Sequence, residues 1–307
     1  MKKIAIFSAL LLSVLTMWSQ PKTVKFAQRD TSSLFMDIYE PQGGSPDSTC
    51  VIFVFGGGFL SGQRNLPEYA LYAKELNQRG YTVVCIDYRL GLKGADTRGT
   101  RIISALDRAI TMAVEDLYSA TAYLLEHAKQ YRINPKRIVL CGSSAGAITV
   151  LQADYELCNR RDIAKVLPAD FHYAGVLSFS GAILSHNGKV KYAEKPAPTF
   201  LFHGINDQLV TYKSITFGKL GFFGSNALAK RFEKFDYPYY IRRYEDLGHD
   251  VAAFMVHEVE ISDLFIRQYV KEGRFLQKDE TVNDPNVPHF PWGNLSAGKI
   301  YNKKSGK

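Results

Sequence analysis

Short apolar runs, too continuous to show the in-and-out alternation of a half-exposed strand, recur along this chain with helix-length segments between them. Residues 50–55 (Cys-Val-Ile-Phe-Val-Phe) are the clearest, and residues 81–87 and 137–141 share their character. A strand that is apolar on both sides of its pleat has to be covered on both faces, the condition of a parallel sheet inside helical layers. The intervening segments fit those layers. Residues 66–79 have helical spacing and stop at Gly80, and residues 111–130 and 145–156 read as further helices. Strands at 175–180 and 199–203, a helix at 225–235, a strand at 239–244 and a final helix at 252–270 continue the alternation. The expected class is therefore α/β: a mostly parallel sheet with helices on both faces, wound by right-handed crossovers. Residues 23–28 and 33–40, joined by a short connection, add an antiparallel edge at the N-terminal side.

A chain of 307 residues, 46% hydrophobic and 22% charged, can build such a sheet around one core without disulfide or metal staples. The expected organisation is a leader at residues 1–20, a single domain at 21–275 and a tail at 276–307. Lys2 and Lys3 followed by the uncharged apolar run 4–18 have the layout of a cleaved export signal, and the run is shorter than the ~20 residues of a permanent membrane span. The tail carries Pro285, Pro288 and Pro291, loses periodicity and is expected to pack loosely over the domain. The net charge of +8 is scattered outside the C-terminal lysines, with no basic stripe interleaved with aromatics, so a solvated surface is expected and nucleic acid is not. Cys50, Cys85, Cys141 and Cys158 lack metal-ligand spacing, and no cofactor or metal is expected.

Chemistry concentrates at three strand ends. Gly142-Ser143-Ser144-Ala145-Gly146 follows the strand ending at Cys141 and runs straight into a helix. A G-x-S-x-G match has meaning in that setting, because a sharp strand-to-helix turn needs small neighbours and pushes the central serine out above the sheet. Ser144 holds that position, and Ser143 lacks the flanking glycines at the required offsets. A serine alcohol attacks only when a base takes its proton. His249, in Leu247-Gly248-His249-Asp250, and Asp207, in His203-Gly204-Ile205-Asn206-Asp207, each lie just past a strand end on the same edge of the sheet, in the order Ser, Asp, His. Asp246 and Asp250 compete for the role of acid but sit too near His249 in sequence to reach its far nitrogen easily. His203 is expected to support the Asp207 loop. At the end of the 50–55 strand, Phe55-Gly56-Gly57-Gly58-Phe59 can turn unobstructed backbone N–H groups towards a developing oxyanion.

With these features in the order Val54–Gly58, Asp87-Tyr88-Arg89-Leu90, Ala113-Val114-Glu115-Asp116-Leu117, residues 133–146, the Asp207 loop and the His249 loop, the chain resembles the α/β-hydrolase superfamily, and within it HGGG-type esterases and lipases. It looks most like exported bacterial carboxylesterases, some of which deacylate plant polysaccharides. The resemblance implies a Ser144–His249–Asp207 triad, oxyanion donors at Gly57, Gly58 and Ala145, and an acyl-enzyme route on a small-molecule or carbohydrate ester. One departure is visible: Phe55 stands where the family has the opening histidine of its motif, so the hydrogen bonds that hold this loop must come from elsewhere. Only 63 positions separate Ser144 from Asp207, which leaves little room for a large lid after the 175–180 strand. Residues 91–110 and 220–224 are the candidate walls of a fairly open site, suited to short acyl groups on a bulky alcohol. A prolyl oligopeptidase-related peptidase is the competing enzyme, but the chain has no room for the gating domain common in that group. A non-catalytic binding protein on the same fold is the other alternative, and the intact constellation speaks against it.

Overall fold

The computed structural model describes residues 20–30, 32–41 and 48–301. Apart from Gln20, the leader expected at residues 1–20 lies outside them. In chain order the elements are β1 (Lys22–Arg29), β2 (Ser32–Tyr39), β3 (Ser48–Val54), α1 (Pro67–Gln78), β4 (Thr82–Ile86), α2 (Arg101–Glu126), β5 (Ile133–Ser143), α3 (Ala145–Cys158), β6 (Gly175–Phe179), β7 (Ala182–Ser185), β8 (Thr199–Gly204), β9 (Ser214–Phe217), β10 (Leu220–Gly224), α4 (Ser225–Lys234), β11 (Tyr239–Tyr244), α5 (Val259–Phe265), β12 (Gln277–Val282) and α6 (Ala297–Tyr301).

Nine strands form one sheet in the order β1-β2-β4-β3-β5-β6-β8-β11-β12. The β1/β2 and β2/β4 pairs are antiparallel and the remaining pairs parallel, which gives the expected antiparallel edge and parallel centre. The central strands are covered on both sides: all seven residues of β3 and all five of β4 are buried. Helix α3 packs on β3, β5 and β6 and against α2, while α1 packs on β4 and against α5, so two separate helical layers enclose the core. The chain leaves β3 towards β4 on one side and returns to β5 on the other. Between the C-terminal ends of β3 and β5 the strand order therefore reverses, which opens the crevice where open α/β sheets bind ligands.

Four departures from the sequence reading have physical reasons. Helix α2 starts at Arg101, inside the stretch taken for a connection. Its buried face already includes Ala105, Ala109 and Ile110, but Thr100 makes no side-chain cap to mark the start. The expected last helix is broken into a 3₁₀ turn (His249–Ala253), α5 and a π turn (Ile266–Lys271), because its first turn is drawn into the His249 loop. The intervals after β6 and β8 hold a second, antiparallel sheet in the order β7-β10-β9. The segment expected as a loosely packed tail supplies β12, which pairs in parallel with β11 from Tyr239↔Gln277 to Tyr244↔Val282. Its sequence, Gln-Lys-Asp-Glu-Thr-Val, is polar because an edge strand need not be apolar on both faces.

Candidate active site

The turn from β5 into α3 is built on two backbone approaches. A Cβ on Gly146 would stand 2.0 Å from the Val54 carbonyl oxygen in β3, and one on Gly142 would stand 2.3 Å from the Gly146 oxygen. Only glycine allows the helix to start this close to the sheet. Ser144, between them, is held at φ 51, a left-handed conformation that costs a non-glycine residue about 1–3 kcal/mol and that the surroundings must enforce. They do so through Ser144 N–H, which donates to Phe179 O at the end of β6 (2.8 Å), and through the Ser144 carbonyl, which accepts from Ile148 N–H inside α3 (2.9 Å). Ser143 points elsewhere: its hydroxyl donates to Ala252 O (2.6 Å) and ties the turn to the His249 loop.

Strand ends β8 and β11 carry the other two groups. Their loops are laced together, with Ile205 N–H donating to Tyr244 O (3.0 Å) and Asn206 N–H to Leu247 O (3.0 Å). The result is a continuous hydrogen-bonded line. Ser144 Oγ lies 2.8 Å from His249 Nε2, and His249 Nδ1 lies 2.7 Å from Asp207 Oδ2. Both spacings are within reach for proton transfer from an alcohol to an imidazole oriented by a carboxylate. The second oxygen of Asp207 accepts the N–H groups of Leu209 (2.8 Å) and Val210 (2.9 Å). Buried His203 sets its Nε2 3.3 Å from Asp207 Oδ2, and its Nδ1 is bonded to Ser225 Oγ at the start of α4 (2.7 Å). Burial alone would raise the Asp207 carboxyl, but the hydrogen bonds and charge of His203 and His249 outweigh it and hold the group below the usual carboxylate range. Asp207 is therefore an anion at neutral pH.

The rival acid is occupied elsewhere. Asp250 accepts Phe290 N–H (2.6 Å) and Gly248 N–H (3.2 Å), and His249 N–H donates to Gly293 O (2.7 Å). Asp250 thus clamps the C-terminal segment under the His249 loop and does not address the imidazole. Asp246 makes no hydrogen bond to His249 among the described residues.

The glycine loop after β3 turns at Gly57, whose φ of 120° excludes other residues. Phe55 replaces the histidine anticipated from the family pattern, and aromatic packing and carbonyl acceptors take over the anchoring. Phe55 stacks on Tyr88 (4.4 Å between centroids), whose hydroxyl donates to Phe55 O (3.0 Å). Leu60 and Ser61 N–H groups donate to Gly57 O, and Leu92 N–H donates to Phe59 O. With those carbonyls engaged, the loop is fixed by its oxygens. Gly57, Gly58, Ser144 and His249 line one cleft of about 390 Å³. Ala145, the buried first residue of α3, lies beneath the wall, at the helix end where the dipole favours negative charge.

Sequence reasoning missed the opposite wall. Trp292, Ile300 and Tyr301, from the presumed tail, line the cleft together with Tyr69 of α1, whereas residues 91–110 and 220–224 do not. Trp292 stands edge-on to His249 (6.3 Å) and stacks on Phe290. Tyr301 donates to Gly58 O (3.4 Å), and its own carbonyl accepts from Thr97 Oγ1 (2.7 Å), so the 91–110 segment braces the wall from behind. Burial pushes the Tyr301 phenol up to about 12, which keeps it a neutral donor. The sequence signal was faint: Phe290, Trp292 and Tyr301 are large aromatics in an otherwise polar stretch, which can mark a docked segment. No group of three or more His, Cys, Asp or Glu among the described residues is placed to hold a metal ion.

A family model described as BD-FAE matches residues 36–165, from β2 through α3. Among curated proteins, a probable isoprenylcysteine alpha-carbonyl methylesterase of Arabidopsis thaliana is 30% identical over 112 residues, 36% of this chain and 20% of the relative. The fumonisin B1 esterase of Sphingopyxis macrogoltabida is 29% identical over 121 residues, 37% of this chain and 21% of its own length. The chain thus spans about a fifth of these relatives. Among solved structures, Thermogutta terrifontis esterase 2 phosphoramylated by tabun superposes with a TM-score of 0.60 at 20% identity, covering 84% of this chain and 97% of that one. The same esterase with butyrate bound gives 0.59 at 18% identity, over 85% and 96%. At that identity the likeness shows the fold, and the fold is that of the α/β hydrolases.

Proposed function

We propose that this α/β-hydrolase-fold chain is a serine carboxylesterase, with Ser144 as nucleophile, His249 as general base and then acid, and Asp207 as the carboxylate that orients it. The observation that carries the reading is the unbroken line from Ser144 Oγ through His249 to Asp207, at 2.8 and 2.7 Å. Ser144 Oγ attacks the ester carbonyl carbon as its proton passes to His249 Nε2, and the carbonyl oxygen becomes an anion. The N–H groups of Gly57, Gly58 and Ala145 are the proposed donors to that anion, each contributing a factor of ~10² to 10³ in turnover. Collapse of the tetrahedral intermediate breaks the C–O bond to the alcohol, which leaves with the proton held by His249. Water then repeats the sequence on the acyl-serine: it gives a proton to His249, attacks the carbonyl, and releases the acid as the proton returns to Ser144.

Short acyl groups on a bulky alcohol or carbohydrate are the proposed substrates. A cleft of about 390 Å³ lies low in the ~300–1,000 Å³ range of small-molecule sites. The solved neighbour with butyrate bound, though distant in sequence, supports the same size class. The basic and apolar leader read at residues 1–20 supports an exported enzyme. A series of nitrophenyl esters from acetate to dodecanoate tests the size limit: kcat/KM is expected to fall as the acyl chain lengthens beyond butyrate. A rate that climbs towards dodecanoate refutes the short-acyl assignment and leaves ester hydrolysis standing.

A further inference from the structure

The small sheet β7-β10-β9 hangs from the same edge of the main sheet as the candidate triad. Strand β7 follows β6, whose last carbonyl holds Ser144, and β9 follows the Asp207 loop. Its outer strand β9 exposes two apolar side chains that do not pack against the core, whereas Leu220 and Phe222 of β10 do. Phe217 is 83% and Ile215 66% exposed. The register pairs Phe217 with Leu220 and Ile215 with Phe222, so these four project from one face, and Lys213 follows the same alternation. The hairpin closes through Gly218 and Lys219, and Gly188 N–H donates to Lys219 O, which brings the segment bearing Lys189 and Lys191 alongside. Residues 182–192 and 211–224 together contain these lysines and neither Asp nor Glu. Lys189, Lys191, Lys213 and Lys219 are all exposed, and none is in an ion pair among the described residues. His186 engages Asp107 of α2 (3.1 Å).

We infer that the β9–β10 hairpin docks the protein onto an anionic lipid surface, with Phe217 and Ile215 entering the interface and the lysines facing the headgroups. Exposed apolar residues on an edge strand are normally suppressed, so their retention points to a partner. The uncompensated lysines favour a partner of negative charge, and they repel a second copy of this face. A sugar polymer fits less well, because residues 211–224 contain no Asp, Glu, Asn or Gln to bond its hydroxyls. Docking here would present the cleft to esters at that surface, although the binding itself is independent of the catalytic reading.

Co-sedimentation of the full chain with phosphatidylcholine vesicles, with and without phosphatidylglycerol, tests the inference. The protein is expected to pellet with the anionic vesicles only, and to be released by salt, which screens exposed charges. Lys213→Gln and Lys219→Gln should each weaken binding about fivefold, and Phe217→Ser about tenfold or more. Turnover of a soluble acetate ester should be unchanged in all three, which controls for folding. Failure to pellet, or pelleting that none of these substitutions alters, overturns the inference. Light scattering that shows a dimer lost in Phe217→Ser would assign the face to a second copy, and retention by insoluble polysaccharide in place of vesicles would assign it to a sugar polymer; either result also overturns it.

Discussion

Replacing Gly146 by alanine places a methyl carbon 2.0 Å from the Val54 carbonyl oxygen and 2.7 Å from that of Phe55, where ordinary contact begins at 3.4 Å. The obstruction is backbone. Val54 is paired on both sides, with Ile86 of β4 and Gly142 of β5, and cannot rotate away. The first turn of α3 therefore has to retreat by about 1.4 Å, the difference between the two distances. Overpacking of this kind costs about 1–3 kcal/mol of stability. Its effect on catalysis should be larger, because Ser144 is the residue on which α3 begins and its 2.8 Å contact with His249 has no slack. A misplacement of about 1 Å typically lowers turnover about a hundredfold. Urea unfolding followed by circular dichroism, with acetate-ester turnover measured on the folded variant, reads the two effects separately. Gly146→Ala with the parent's stability and turnover would refute the claim that close helix–strand approach sets the serine's position.

Asp207→Asn should keep the fold and lower kcat by about 10⁴, through loss of the charge and tautomer control on His249, whereas Asp250→Asn should chiefly loosen the 290–293 segment and lower Tm; a larger kcat loss at Asp250 would reverse the assignment of the acid. Buried Asp154, raised by desolvation from 3.8 to about 7, keeps in the folded state a proton that the unfolded chain gives up, so stability should fall as pH rises from about 4 to 7, by up to about 4 kcal/mol, and level off above. Asp154→Asn should remove that slope and be the more stable protein at pH 8; unfolding curves of parent and variant that shift in parallel with pH would exclude it.

What the sequence made legible was whatever local chemistry dictates. Continuous apolar runs marked the buried strands, and the glycines at 142 and 146 marked the turn, because each responds to a constraint acting on the residue itself. The structure brings Ser144, His249 and Asp207 to one point, and Gly57 and Gly58 to the same cleft. The illegible parts depend on partners distant in the chain. Strand β12 is polar and finds its place through backbone pairing with β11. Trp292 and Tyr301 reach the cleft because Asp250 and Thr97 anchor their segment, an arrangement that no periodicity records. The substitute anchoring of the glycine loop through Tyr88 likewise spans 33 positions of sequence.

Covalent capture of the nucleophile tests the central claim most directly. A fluorophosphonate probe carries a phosphorus electrophile that an activated serine attacks, with fluoride leaving, and peptide mapping then locates the adduct. The account predicts a single adduct on Ser144, no labelling of Ser144→Ala, and ester turnover in that folded variant reduced by a factor on the order of 10⁴ or more. An adduct on Ser143, or Ser144→Ala that still hydrolyses esters at a comparable rate, would contradict it.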